Sequence, residues 1–291
     1  MGISLLVIGL IALYLLLSNV LPYAVIKPGK QSCTPSSHPL IETIELEGAD
    51  SIILSGITLR ADNPIGQMLF VHGVGSCKEA YQDLMKYYAR RGISTFAFDM
   101  RAHGSSGGRY ATYGYREKKD IGQIVAWMRQ TQPAELPLGI YGNSMGGAIS
   151  IQATAEVEDI DFAIFESTFA YFPEIVNDYA ERISYGLTMK WMVNWVLAKA
   201  GKIADFIPEE VAPEQAARHI DIPVLVAHGD ADERINVSHA RRIFKNLSST
   251  DKELYIVEGG GHADLGIVGG EAYWRKLDGF IMRNVSPEKV E

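Results

Sequence analysis

The chain has 291 residues, of which 47% are apolar and 21% charged. That composition supports a folded core and argues against disorder. Acidic residues outnumber basic ones 35 to 27, for a net charge of −8, which speaks against a nucleic-acid partner held by phosphate neutralisation. Two cysteines are too few for a disulfide scaffold or a four-cysteine zinc site.

The chain opens on an apolar, uncharged run from Ile3 to Ile26, longer than the ~20 residues a helix needs to cross a bilayer. Residues 1–26 therefore read as a transmembrane anchor. Tyr14 and Tyr23 suit its interfaces. A cleaved signal peptide fits less well, because no Lys or Arg precedes the run. Lys27 and Lys30 follow it, so the positive-inside rule places the rest of a single-pass protein in the cytoplasm. Residues 27–40, rich in Pro and Ser, read as a linker, and residues 41–291 as one folded domain.

In that domain hydrophobic periodicity alternates between strand and helix. Ile41–Leu46 and Ile52–Leu59 form an antiparallel opening pair. Met68–His72 is a short continuous apolar run, as a buried parallel strand should be. A helix over Glu79–Arg91, a strand at Thr95–Asp99 and a helix over Glu117–Gln130 follow. Next come a strand at Leu138–Tyr141, a helix from Met145 to Ala155 and a strand at Phe162–Glu166. The alternation breaks between Ser167 and Arg218, a helical stretch that reads as a cap over about 167–218. Two strand–helix pairs close the chain, Val224–His228 with Ser238–Leu247 and Leu254–Val257 with Glu271–Arg283. The fold class is α/β, with a mostly parallel central sheet and helices on both faces. In such sheets ligands bind beyond the carboxyl ends of the strands.

One such end carries Gly142-Asn143-Ser144-Met145-Gly146, a G-x-S-x-G pattern flanked by a strand and a helix, as a nucleophile elbow requires. A second match, Gly104-Ser105-Ser106-Gly107-Gly108, lacks both flanks, which leaves Ser106 as loop chemistry. A serine nucleophile needs a base and an orienting acid, in the chain order Ser, acid, His. Among the histidines after Ser144, His262 follows the last strand within a glycine loop and is the expected base. His228 ends a strand before any good acid, His239 lies in a helix and His219 precedes a strand. Asp230 and Asp232 both follow the preceding strand. Asp232 is the expected acid, with Asp230 capping its own turn. The oxyanion donors are expected at the backbone N–H groups of Met145 and Val74. His72 reads as structural.

These motifs together resemble the α/β-hydrolase superfamily in its serine-hydrolase branch, and within it the lysophospholipase- and serine-aminopeptidase-like proteins. HGVG, FDMRAHGSSGG, YGNSMGG, IPVLVAHGDADERI and EGGGH stand in the family's order over about Ile41 to Arg283. The resemblance supports Ser144, Asp232 and His262 with the donors Val74 and Met145. Departures are HGVG where many lipases have HGGG, and DADERIN where relatives often carry V-P after the acid. It implies a membrane-tethered serine esterase that cleaves a carboxylic ester or thioester through an acyl-enzyme. A serine aminopeptidase or amidase is the enzymatic alternative, and a non-catalytic binding protein on a hydrolase scaffold the alternative of a different class. The implied partners are a small-molecule ester, lipid or peptide substrate and the membrane. No cofactor or metal is expected, and no nucleic acid.

Within the cap, Trp191 and Trp195 share a helical face. They read as packing over the sheet, with an apolar wall for an acyl chain or a surface near lipid as the sharper alternative. Glu174, Asp178 and Glu181 share another face, plainly read as solvated, otherwise as a site for a substrate amine. Cys33 and Cys77 pair only outside a reducing compartment, and two free thiols are the simpler expectation.

Overall fold

The structure is a computed structural model that describes residues 2–29, 33–34 and 38–286. Six residues of the expected linker, Lys30 among them, and the last five residues of the expected domain lie outside the described residues. The first two helices are α1 (Gly2–Asn19) and α2 (Leu21–Ile26). The sheet strands are β1 (Glu42–Glu47), β2 (Ile53–Leu59), β3 (Gly66–Val71), β4 (Ile93–Phe98), β5 (Leu138–Asn143), β6 (Phe162–Glu166), β7 (Val224–Gly229) and β8 (Lys252–Val257). Between and after them run α3 (Gln82–Ala89), α4 (Glu117–Thr131), α5 (Met145–Thr154), α6 (Phe172–Ile183), α7 (Lys190–Ala204), α8 (Pro213–Ala216), α9 (Ser238–Asn246), α10 (Leu265–Val268) and α11 (Gly270–Val285).

The eight strands make one sheet in the order β1-β2-β4-β3-β5-β6-β7-β8. β1 pairs antiparallel with β2 and β2 antiparallel with β4; every later pairing is parallel. The expected opening hairpin and parallel sheet are both present. Side chains alternate across the pleat, and this sorts the core into two layers. Leu69, Val71, Phe96, Phe98, Ile140, Ala163 and Phe165 point to one layer. Met68, Phe70, Ala97, Tyr141, Phe162 and Ile164 point to the other. On the first face α4 lays down Ile121, Ile124, Val125 and Met128, a three-and-four spacing that makes one apolar stripe. α5, α8 and α9 share that face. On the second, α11 contributes Tyr273, Leu277, Phe280 and Ile281 beside Met85 and Tyr88 of α3. α6 and α7 form a third apolar cluster over the carboxyl ends of the strands, with Phe172, Ile175, Val193 and Leu197 buried.

The expected membrane span is not formed. The apolar run breaks at Val20, with Pro22 in the first turn of α2, where a proline fits a helix start but not an interior. The 18 residues of α1 rise about 27 Å, short of the ~30 Å hydrocarbon core. Among the described residues no helix is long and apolar enough to cross a membrane. The transmembrane anchor, the membrane as partner and the single-pass localisation with a cytoplasmic catalytic domain are corrected accordingly. α2 finds its apolar contacts on the protein instead. Ile26 is fully buried in the cap cluster, worth about 2 kcal/mol for a side chain of that size. Its carbonyl accepts Ala111 N–H at 2.9 Å and the Val25 carbonyl accepts the Tyr113 hydroxyl at 2.6 Å.

The cap corrects a second expectation. α7 buries Val193, Val196 and Leu197, while Trp191 is exposed and Trp195 meets Tyr14 of α1 with ring centroids 6.1 Å apart. The tryptophan pair faces outward instead of packing over the sheet as expected.

Cys33 and Cys77 are joined as a disulfide across 44 residues, where the sequence favoured free thiols. No thiol is expected to titrate before reduction and two after it. Reduction, or Cys77→Ala, is expected to lower stability by roughly 2–4 kcal/mol, read as a drop in unfolding midpoint. An unchanged midpoint in both would show that the bond carries no stability.

Candidate active site

The elbow begins where β5 leaves the sheet. Ser144 has φ 55° and ψ −119°, a conformation that side chains other than glycine rarely adopt and that costs of order 1–3 kcal/mol. Its neighbours must then come very close. A Cβ on Gly146 would stand 2.0 Å from the Val71 carbonyl oxygen, and one on Gly142 would stand 2.3 Å from the Gly146 oxygen. Only glycine fits either position, which is the physical content of the motif. Ser144 itself is buried but for 8% of its surface.

His262 stands over the serine on the loop after β8. Its Nδ1–H donates to Asp232 Oδ2 at 2.8 Å, which leaves Nε2 to accept the Ser144 hydroxyl at 3.0 Å. Asp232 follows β7, and its other oxygen accepts the N–H groups of Arg234 and Ile235 at 2.8 and 2.9 Å. Burial alone would raise this carboxyl. Hydrogen bonds from His228, His262 and Ile235 N–H outweigh it and hold the group well below the usual carboxylate range. His228 is a site neighbour that its place at a strand end did not reveal: its Nε2 lies 3.3 Å from Asp232 Oδ2 and 2.7 Å from the Ile235 carbonyl. It is a partner of the acid.

The other candidates separate clearly. Asp230 accepts Gly259 N–H at 2.7 Å and so ties the two loops together, rather than capping its own turn. Ser106 donates to the Asp99 carbonyl at 2.6 Å and accepts Ser55 N–H at 2.8 Å, a fully engaged structural hydroxyl. The loop with Val74 lies against the elbow, since a Cβ on Gly73 would be 3.3 Å from Ser144 Cβ. Among the described residues neither Val74 N–H nor Met145 N–H has a protein acceptor.

His72 braces this loop from below. It is buried, its Nε2 accepts Met100 N–H at 2.9 Å, and its Nδ1–H donates to the Gly73 carbonyl at 2.8 Å. In the cap, Glu174 pairs with Arg242 at 2.6 Å and Asp178 lies 3.8 Å from His239. Glu174, Asp178, Glu181 and Glu209 line a cavity of about 540 Å³ together with Lys190. Cys33, Cys77 and Glu79 have ligand atoms within 4.8 Å of one another. With the sulfurs bonded to each other, that cluster offers no thiolate to a metal.

The profile of a family described as serine aminopeptidase, S33, matches residues 62–213 and 203–266, well over half of the chain. The chain belongs to this hydrolase family. Among its relatives, YqkD of Bacillus subtilis is 29% identical over 248 residues, covering 79% of this chain and 78% of YqkD. Caffeoylshikimate esterase of Arabidopsis thaliana is 24% identical over 235 residues, covering 68% of this chain and 71% of that protein. The fold is similar to that of the Pyrococcus furiosus esterase Pf2001, with a TM-score of 0.75 at 22% identity over 90% of this chain and 99% of that one. The architecture is the α/β-hydrolase fold.

His72 gives the site a pH signature in stability. Burial first, then the neighbouring His103, pushes its pKa down to about 4 from 6.5. Between those values the unfolded chain binds a proton that the folded ring refuses. Stability is therefore full above about 6.5 and falls as pH drops toward 4, by roughly 3 kcal/mol from this group. His72→Gln is expected to flatten that slope in unfolding midpoints measured from pH 7 to 4. An undiminished slope would assign it to other groups.

Proposed function

We infer that the protein is a serine hydrolase that cleaves a carboxylic ester or thioester through an acyl-enzyme on Ser144. The observation that carries this reading is the unbroken chain from Ser144 Oγ through His262 to Asp232, at 3.0 and 2.8 Å. His262 Nε2 takes the hydroxyl proton as Ser144 Oγ bonds to the acyl carbon. The carbonyl oxygen becomes an oxyanion facing Val74 N–H and Met145 N–H. The C–O or C–S bond to the leaving group breaks, and His262 returns its proton to the departing alcohol or thiol. Water then repeats the attack with His262 as base, releasing the carboxylic acid and restoring Ser144. Asp232 holds the ring in the Nδ1–H tautomer and stabilises its charged form without taking the proton.

A second reading, an aminopeptidase or amidase, draws on the acid-lined cavity between α6 and α7, which suits a substrate amine. Rates on p-nitrophenyl esters of rising chain length, set against aminoacyl anilides, decide between the two.

A fluorophosphonate probe is expected to label the folded protein, and Ser144→Ala to abolish labelling and turnover. Equal labelling of Ser144→Ala would sink the nucleophile assignment. Asp232→Asn is expected to lower kcat by roughly 10³–10⁴-fold through the wrong tautomer, while Asp230→Asn costs no more than several-fold. A reversed order would exchange the roles of the two acids.

A further inference from the structure

Glu166 is a buried carboxylate beside the elbow, and the acyl-transfer steps give it no part. It ends β6 in register with Asn143 at the end of β5. Its backbone carbonyl accepts Ser144 N–H at 2.9 Å. Its Oε1 accepts Asn143 Nδ2–H at 2.9 Å, and its Oε2 accepts the hydroxyls of Tyr141, at 2.6 Å, and of Tyr273. Burial first, and then the charge of Glu166, raises both phenols well above their usual range, so they stay protonated donors. A carboxylate buried without donors would be very costly. With three side-chain donors it is a fixed acceptor with little freedom to move.

Asn143 carries the connection onward. Its amide oxygen lies 3.4 Å from where a Cβ on Gly73 would stand, and Ser144 Cβ lies 3.3 Å from the same point. The residue before the serine is thus wedged between Glu166 and the loop that bears Val74. We propose that Glu166 is a positioning residue for acyl transfer: through Asn143 it sets the gap between Ser144 and the Gly73–Val74 backbone that faces the oxyanion. The proposal rests on Ser144 as nucleophile. Glu166 acts through another residue rather than on substrate, so its loss is felt in kcat and not in KM.

Kinetics of paired variants test this on the full chain. Glu166→Gln keeps the side-chain volume but turns an amide N–H₂ toward donors. It is expected to lower kcat roughly 10–100-fold, as for a misplacement near 1 Å, with KM changed by no more than about twofold. Asn143→Ala is expected to give a loss of the same size, and the double variant no further loss, because both act through one link. Tyr88→Phe removes a phenol–carboxylate bond to Asp278 elsewhere; it is expected to lower the unfolding midpoint and keep kcat. Normal kcat in Glu166→Gln or in Asn143→Ala would overturn the proposal, as would losses that multiply in the double variant. Should Glu166→Gln fail to fold, the kcat and KM of Asn143→Ala decide alone. Ser144→Ala run alongside separates the two claims. Turnover by that variant defeats the nucleophile assignment, whereas an inactive Ser144→Ala beside a fully active Glu166→Gln defeats only the positioning role.

Discussion

The close approach of the first turn of α5 to the ends of β3 and β5 is the constraint on which the rest of the site depends. Gly146 lies against the carbonyls of Val71 and His72, and Gly142 against Gly146. No side chain is tolerated at either contact. The helix is therefore pressed onto two strands at once, and Ser144 is left in a left-handed turn directly beside the loop from β3. A matching contact joins the other side, where a Cβ on Gly229 would stand 2.0 Å from the Gly260 oxygen. It draws the exits of β7 and β8 together and brings Asp232 within 2.8 Å of His262. The geometry of three side chains is thus set by backbone contacts that only glycine permits.

Buried charge is organised around this frame. Asp232 receives donors on both oxygens, and its charge is held by them in spite of burial. Below the loop from β3, Asp99 pairs with Lys78 at 2.7 Å and accepts the N–H groups of Lys78 and Ser105. Arg101 grips Asp120 with two bonds at 2.7 and 2.8 Å. Such pairs add little net stability against the cost of desolvation. Their effect is to hold the segments after β3 and β4 in one arrangement.

The sheet and the elbow were legible because their signals are local. Alternation along β1 and β2, continuous apolar runs in β3 to β7, and glycines at fixed offsets around Ser144 each report a backbone constraint within a few residues. Asp232 and His262 followed from strand ends and chain order. What escaped the reading is non-local. The Cys33–Cys77 bond spans 44 residues without any sequence signal. Glu166 and His228 are single polar residues at strand ends, and only their partners on other elements give them meaning. The N-terminal run misled for a related reason. Apolar residues state that they avoid water, not whether lipid or protein takes its place: Val25 and Ile26 turned out to meet the cap cluster and the loop from Tyr110 to Tyr113, while Leu5, Ile8 and Leu10 of α1 are exposed.

The disulfide has a topological consequence. It closes residues 33 to 77 into a covalent ring that contains β1, β2 and β3, and hence the approach to the loop bearing Val74. A chain cut at any one peptide bond inside that ring, for example in the exposed turn between β2 and β3, remains a single molecule. The two antiparallel strands β1 and β2 and the strand beneath the Val74 loop are in this sense tethered twice, once by the sheet and once by sulfur. Backbone scission there is silent until a reductant opens the second tether.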